Sequence, residues 1–291
     1  MMKIAITGAN GFIGSALSQS LKNHEVIPLK HFKNTFYFQN VPLEQIEGLD
    51  IVIHLAGESI MGYWNEKKKK KIRESRVLGT QSLCNSLAAL KNPPGLLICA
   101  SAVGYYGNRK DEILNEKSSK GKGFLSDVCA EWEEATRPAV EAGIRTINLR
   151  FGMVLGQHGG ALKQMTLPFK LGLGGKMGSG EQFVSWIALE DLIRIFQFLI
   201  NNNYLSGPVN AVSSFPVTNQ ELTKTLGRIM NRPTFLSMPT FLVKLIFGEM
   251  GQELLLSSQK VIPEKLMKAG FSFEYPTLEL ALTETLLHSS N

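Results

Sequence analysis

The sequence is poor in residues that build covalent or metal-bound frameworks. Its 291 residues include three cysteines, Cys84, Cys99 and Cys129. Their number is odd and they lie far apart, which excludes a disulfide scaffold and offers no metal-ligand spacing. The five histidines are scattered, so no metal is expected. No apolar run approaches the roughly 20 residues that a bilayer span needs. The apolar N-terminal stretch is spent on a strand and a glycine turn, and no small-residue cleavage site precedes the fold. A cytoplasmic protein with no membrane partner is expected. Internal repeats are lacking, and low complexity is confined to Lys67 to Lys71. The net charge is +6, yet the bases are not interleaved with aromatics and form no nucleic-acid motif, so nucleic acid is not an expected partner. The lysine run reads as a solvated helix face, with steering of a phosphorylated ligand as the alternative.

What remains is an ordinary globular composition, 44% apolar and 19% charged. That is ample for a buried core in one large or two modest domains. The chain is organised around Lys3 to Ser15, KIAITGANGFIGS. A short apolar strand, Ile4 to Ile6, runs into Gly8, Gly11 and Gly14. A helical pattern follows from Phe12 to Leu17, with Leu21 closing its apolar face. Unpaired amides and the dipole at such a helix start suit a pyrophosphate. Gly8 permits the turn, Gly11 lets phosphate approach the backbone, and Gly14 lets helix and strand pack closely. Asn10, Phe12 and Ile13 belong to the same loop.

Strands and helices alternate through the first half, which predicts an α/β fold with a parallel sheet covered on both faces. Strands are expected at Glu25 to Leu29, Asp50 to Leu55, Leu96 to Ser101 and Arg145 to Phe151, and Thr35 to Phe38 is a candidate for a short third strand. Helices are expected at Asn65 to Leu90, Phe124 to Ala142, Trp186 to Ile200 and Val217 to Asn231. The last opens at Thr218, with Glu221 placed for a capping box. The glycine-rich stretch 156–185 reads as a long loop or lid.

The second strand bears on the nucleotide. An acidic residue about 20 positions after the glycines would hold the 2′-hydroxyl of NAD. The strand ends instead in Lys30 and His31, with Lys33 near, so NADP(H) is preferred over NAD(H).

Thr7-Gly8 with Gly11-Phe12-Ile13-Gly14 resembles the extended short-chain dehydrogenase/reductases of the sugar-nucleotide epimerase-like group. HLAGE (His54 to Glu58), SAVGYYG (Ser101 to Gly107), VLGQHGGAL (Val154 to Leu162), LPFKLGLGGKMGSGEQFVSWI (Leu167 to Ile187), LED (Leu189 to Asp191) and SQKVIPEKLMKAGFSFEYPTLELAL (Ser258 to Leu282) are similar to the atypical YfcH-like branch, which ends in a domain of unknown function. The resemblance implies a Rossmann-like, doubly wound parallel sheet with a smaller C-terminal α+β substrate lobe. The expected division is 1–155, with 186–212 returning, for the NADP(H)-binding domain, and 156–185 with 213–291 for lid and lobe. It also implies that Leu55, Ala56 and Gly57 line the nucleotide, that Ser101 matches an active-site serine, and that Val154 meets the nicotinamide.

Most relatives of this kind carry Tyr-x-x-x-Lys on the helix after Ser101, where the Lys lowers the Tyr pKa and the Tyr moves a proton. Aligned on Glu133, this chain has Leu125 and Cys129 at those positions. Arg76 stands where the family usually has Asn, and could restore the lost charge. Tyr105 or Tyr106 could replace the Tyr, or form a hydrophobic lid. Cys129 reads as a small buried thiol, and Asp191 as a helix brace. Glu58, Phe183 and Trp186 are candidates for contacting a small-molecule substrate, with a solvated loop or core packing as the alternatives. Two readings stay open: an NADP(H)-dependent oxidoreductase or epimerase acting on a hydroxylated, possibly nucleotide-linked molecule, and a non-catalytic NADP(H)-binding regulator.

Overall fold

The structure is a computed structural model that describes residues 1–29, 43–157 and 159–288. Lys30, His31 and Lys33, and the candidate strand at 35–38, lie outside the described residues. In chain order the elements are β1 (Lys3–Thr7), α1 (Phe12–Ser20), β2 (Glu25–Leu29), α2 (Leu43–Ile46), β3 (Ile51–His54), α3 (Glu66–Ala88), β4 (Leu96–Ala102), β5 (Ile113–Leu114), α4 (Phe124–Glu134), α5 (Arg137–Glu141), β6 (Arg145–Phe151), β7 (Met153–Leu155) and α6 (Gly160–Lys170). They continue with β8 (Phe183–Val184), β9 (Trp186–Ala188), α7 (Leu189–Asn201), β10 (Gly207–Ala211), β11 (Val217–Thr218), α8 (Asn219–Ile229), α9 (Thr240–Met250), β12 (Lys260–Val261), α10 (Glu264–Lys268) and α11 (Leu278–Thr283). A one-turn π-helix, Gly251–Leu255, follows α9.

The central sheet has six strands in the order β10-β6-β4-β3-β1-β2, a Rossmann-like doubly wound arrangement. β1 pairs in parallel with β2 on one side and β3 on the other. Strand order therefore reverses at β1, and ligands bind beyond the carboxyl ends of strands at such a switch point. All four residues of β3 are buried, as a strand covered on both faces requires.

The chain forms two compact units. The first holds the described residues of Met1–Ala102, Asp127–Leu149 and Leu199–Val209. One face of its sheet packs Ala5, Val52 and Leu97 against Leu83 and Leu87 of α3 and Ala139 of α5. The second holds those of Val103–Ser126, Arg150–Phe198 and Asn210–Asn291. Its main core gathers Leu155 and Trp186 with Leu162 and Phe169 of α6, Leu226 of α8 and Leu282 of α11. This division differs from the expected one. Residues 103–126, 150–155, 186–198 and 210–212 join the second unit, where β5 pairs with β12 and β7 with β9.

Three elements depart from the sequence reading. The stretch 156–185 is not loop throughout: α6 occupies eleven residues of it, with Leu162, Thr166 and Phe169 making a buried stripe at helical spacing. The helix expected over 124–142 is two, α4 and α5, and Pro138 opens the second, where a missing N–H costs nothing. Trp186 begins a strand, not a helix, since β9 is drawn into pairing with β7. The capping box on α8 forms as read: Glu221 N–H donates to Thr218 Oγ1 at 3.2 Å, and Thr218 N–H to Glu221 Oε2 at 2.7 Å.

Candidate nucleotide site

The first unit assembles the glycine turn. Gly8 has φ +71°, and a Cβ there would lie 3.0 Å from Ala56 N. Gly14 is tighter still: a Cβ would lie 2.1 Å from Gly8 O, so α1 can lie against the turn only as glycine. Gly11 N–H donates to Gly8 O at 2.9 Å, and Gly11 is the N-cap of α1 without a side chain to cap it. The amides of Phe12 and Ile13 stand in the first turn. The ends of β1 and β3 are knitted by Thr7. Its Oγ1 accepts from Leu55 N–H (3.1 Å) and Ala56 N–H (3.2 Å) and contacts His54 Nδ1 at 2.7 Å. With both amides donating, the hydroxyl has its own proton to give to His54. Burial pushes the His54 pKa down to about 4, which fits an imidazole that accepts. This cradle without side chains, beside a helix start with no side-chain cap, fits a dinucleotide pyrophosphate.

Arg76 completes this side. Its guanidinium lies 3.4–3.6 Å from the place a Gly57 Cβ would take, donates to Glu58 O at 2.9 Å and stacks 5.1 Å from the Trp132 ring. Burial lowers its pKa, while Cys129 and Glu58 oppose that shift. It therefore points inward to the β3 loop. Lys68 does the same. Its ammonium pairs with Glu58 at 2.7 Å, so the lysine run is not wholly a solvated face, and the Glu58 carboxylate expected at a substrate is engaged by this helix.

The expected proton-transfer groups are placed otherwise. Ser101 is 1% exposed, and its hydroxyl donates to Glu133 at 2.7 Å. Residues alternate along a strand, and Ser101 shares the α4-facing side with Cys99, which senses Thr80, Trp132 and Glu133. Ser101 therefore ties β4 to α4. Leu125 and Cys129 are buried in α4.

In the second unit, Tyr106 is fully buried. It donates to Asn210 Oδ1 (2.8 Å) and accepts from Arg150 (2.9 Å), and burial raises its pKa to about 12. The phenol is thus held as a strut between Asn210 and Arg150. Tyr105 is half-buried with Arg150 3.6 Å above its ring. Glu116 holds the Asn210 and Lys265 amides, and burial raises its pKa. Trp186 is 0% exposed and donates to Phe215 O at 3.0 Å; it is core, not a cleft aromatic. Phe183 remains half-buried under Lys260, 4.5 Å away. Val154 sits in β7 opposite Ile187. Asp191 does brace α7, accepting from the Glu274 and Tyr275 amides at 2.9 Å each.

Sequence reasoning missed Glu253. Its carboxylate accepts from the amides of Phe124 (3.3 Å) and Leu125 (3.1 Å) at the start of α4. Nothing local signals a pairing across nearly 130 residues.

Comparison with known proteins agrees with this geometry. The profile of the NAD dependent epimerase/dehydratase family matches residues 4–211, and that of a domain of unknown function, DUF1731, matches 238–285. Epimerase family protein Mb2239 of Mycobacterium bovis is 41% identical over 96% of this chain and 96% of its own. Epimerase family protein YfhF of Bacillus subtilis is 36% identical, covering 98% of both. The crystal structure of human epimerase family protein SDR39U1 (isoform2) with NADPH superposes with a TM-score of 0.89 at 33% identity, over 98% of this chain and 99% of that one. UDP-N-acetylglucosamine 4-epimerase from Bacillus cereus, 19% identical with a TM-score of 0.78, shares the fold. The chain belongs to the NAD dependent epimerase/dehydratase family.

Proposed function

We propose that this protein binds NADP(H) in preference to NAD(H) and is an oxidoreductase or epimerase acting on a hydroxylated small molecule. The observation that carries the nucleotide is the glycine cradle closed by Arg76 against Gly57. The human relative, solved with NADPH, supports it, as do Lys30 and His31 in the sequence. In this reading the turn from Gly8 to Gly14, with Leu55, Ala56 and Gly57, holds the pyrophosphate and adenosine. Arg76 supplies a permanent charge with five donors. Val154 meets the nicotinamide, which would carry hydride to or from the substrate carbon. Tyr105 and Phe183 face the substrate.

A second reading, a non-catalytic NADP(H)-binding regulator, is favoured by the internal engagement of Ser101 and Tyr106. One experiment addresses both. NADPH and NADH are titrated by nucleotide fluorescence, and NADPH absorbance is then followed against a panel of sugars and carbonyl compounds. Tighter NADPH binding, with a gap narrowed by Lys30→Asp, is expected; equal affinities would reject the cofactor assignment. Binding with no substrate-dependent oxidation would favour the regulator.

A further inference from the structure

The second unit exposes large apolar side chains on two adjoining segments. In α6, Leu162, Thr166 and Phe169 are buried, while Lys163, Leu167, Lys170 and Leu171 follow at steps of three or four residues on the opposite, exposed face. In α9, Val243 is buried, while Phe241, Lys244 and Leu245 share an exposed face, Leu245 at 76%. Beyond α6 and before α9 run the strips 171–178 and 235–239. Met238 N–H donates to Lys176 O and Gly178 N–H to Met238 O, both at 2.8 Å. A Cβ at Gly175 would lie 1.2 Å from Leu236 O, so the strips can meet there only over a glycine. On them Leu173, Phe235 and Leu236 are exposed, Phe235 at 77%. A helix face turned to water is normally polar. Exposed apolar side chains gathered in this way mark a surface that something covers.

Charge decides what covers it. Residues 159–180 and 230–248 contain five bases, Lys163, Lys170, Lys176, Arg232 and Lys244, and no Asp or Glu; Glu181 and Glu249 are the first acids after them. All of these bases but Lys176 are exposed. A second copy of the chain docking about a twofold axis would meet the same patch, bases against bases. An anionic lipid surface suits both properties. The Phe and Leu side chains enter the acyl boundary, and the Lys and Arg heads reach the phosphate and carboxylate of the headgroups. Among the described residues no helix is long and apolar enough to cross a membrane. Lying on one needs no span, so the lack of a long apolar run leaves this surface open. We propose that this face of the second unit docks peripherally on a membrane bearing anionic lipids. Docking in this way is independent of the nucleotide site.

The test is co-sedimentation of the full chain with vesicles of phosphatidylcholine alone and of phosphatidylcholine mixed equally with phosphatidylserine. The parent is expected to pellet with the mixed vesicles, far less with phosphatidylcholine, and less again as added salt screens the charges. Each base near an anionic surface is worth about fivefold in binding, so Lys170→Glu with Lys244→Glu should weaken it about 25-fold or more. Phe241→Ser with Leu245→Ser should weaken it about tenfold or more by removing apolar area. Both double variants alter exposed side chains, so circular dichroism and melting temperature should stay those of the parent. A parent protein left in the supernatant with the mixed vesicles would overturn the proposal, whatever the variants do. Equal pelleting with both vesicle types would also overturn it, since the bases would then count for nothing. So would folded variants that pellet like the parent. Sedimentation velocity without lipid addresses the other occupant: a parent dimer that both variants dissociate would make the face a contact between copies and not a membrane surface.

Discussion

Arg76 is the residue whose role turns on which face of α3 it occupies. Beside the lysine run it could have been one more solvated base. The structure turns it onto Gly57, Glu58 and Trp132. Arg76→Ala is expected to cost about 1.5–3 kcal/mol of NADPH binding, the scale of charged hydrogen bonds, and Arg76→Lys to recover part of it. A fluorescence titration that finds Arg76→Ala as tight as the parent would leave the guanidinium with only a structural task. The inward turn of Arg76 could be suspected because the aligned motif left a missing cation on one helix and a surplus one on another. The commitment of Ser101 to Glu133 could not, because a serine at a strand end gives no local sign of which face it takes. His54 carries a pH prediction. Its folded pKa is about 4 against roughly 6.5 when unfolded. Between those values the unfolded chain binds more protons, so stability present above pH 6.5 drains away as pH falls toward 4, by up to about 3 kcal/mol. Urea unfolding of His54→Gln should show a flatter profile across that window, and an unchanged slope would exclude His54 as its source.

At the scale of elements, what could be read was what is local. The β1–α1 turn, the capping box on α8 and the parallel strands β2 and β6 stand where periodicity and turn chemistry put them. α6 was obscured by the glycines around it. The strand β9 could not be separated from α7, because two or three residues of pairing leave no periodic trace. Gly14 is a sharp check on the first element. Gly14→Ala forces a methyl onto the Gly8 carbonyl, which should cost about 1–3 kcal/mol as an overpacked site does. NADPH affinity should fall with it, because the turn must open to admit the methyl. Urea unfolding and an NADPH titration on the same variant test this, and intact binding in a destabilised protein would separate the turn from the nucleotide. Cys129→Ala is expected to leave NADPH affinity within a few-fold, since its thiol is a small buried filler in α4. A loss of more than about tenfold, near 1.4 kcal/mol, would make it part of the site.

Over the whole chain, the first unit was the more legible because its sheet is built from strands of four to seven residues separated by helices. The second unit is held by two- and three-residue pairings between distant segments, β5 with β12 and β8 with β11. Such contacts are set by tertiary packing and not by any stretch on its own. The cofactor reading makes a different demand of each unit. A ligand that binds only the folded chain stabilises it by about 2.7 kcal/mol at a hundredfold excess over its dissociation constant. NADPH should therefore raise the melting temperature, and NADH at the same concentration should raise it less. Hydrogen exchange then reports where the gain falls. Slowed exchange is expected at residues 8–14 and 55–58 of the first unit and, through Val154, at 153–155 of the second. Protection of the glycine turn with none at 153–155 would keep the nucleotide and remove Val154 from its contacts. A thermal gain with no change at 8–14 would remove the turn from the site altogether, because amides that hold a pyrophosphate cannot exchange while it is bound.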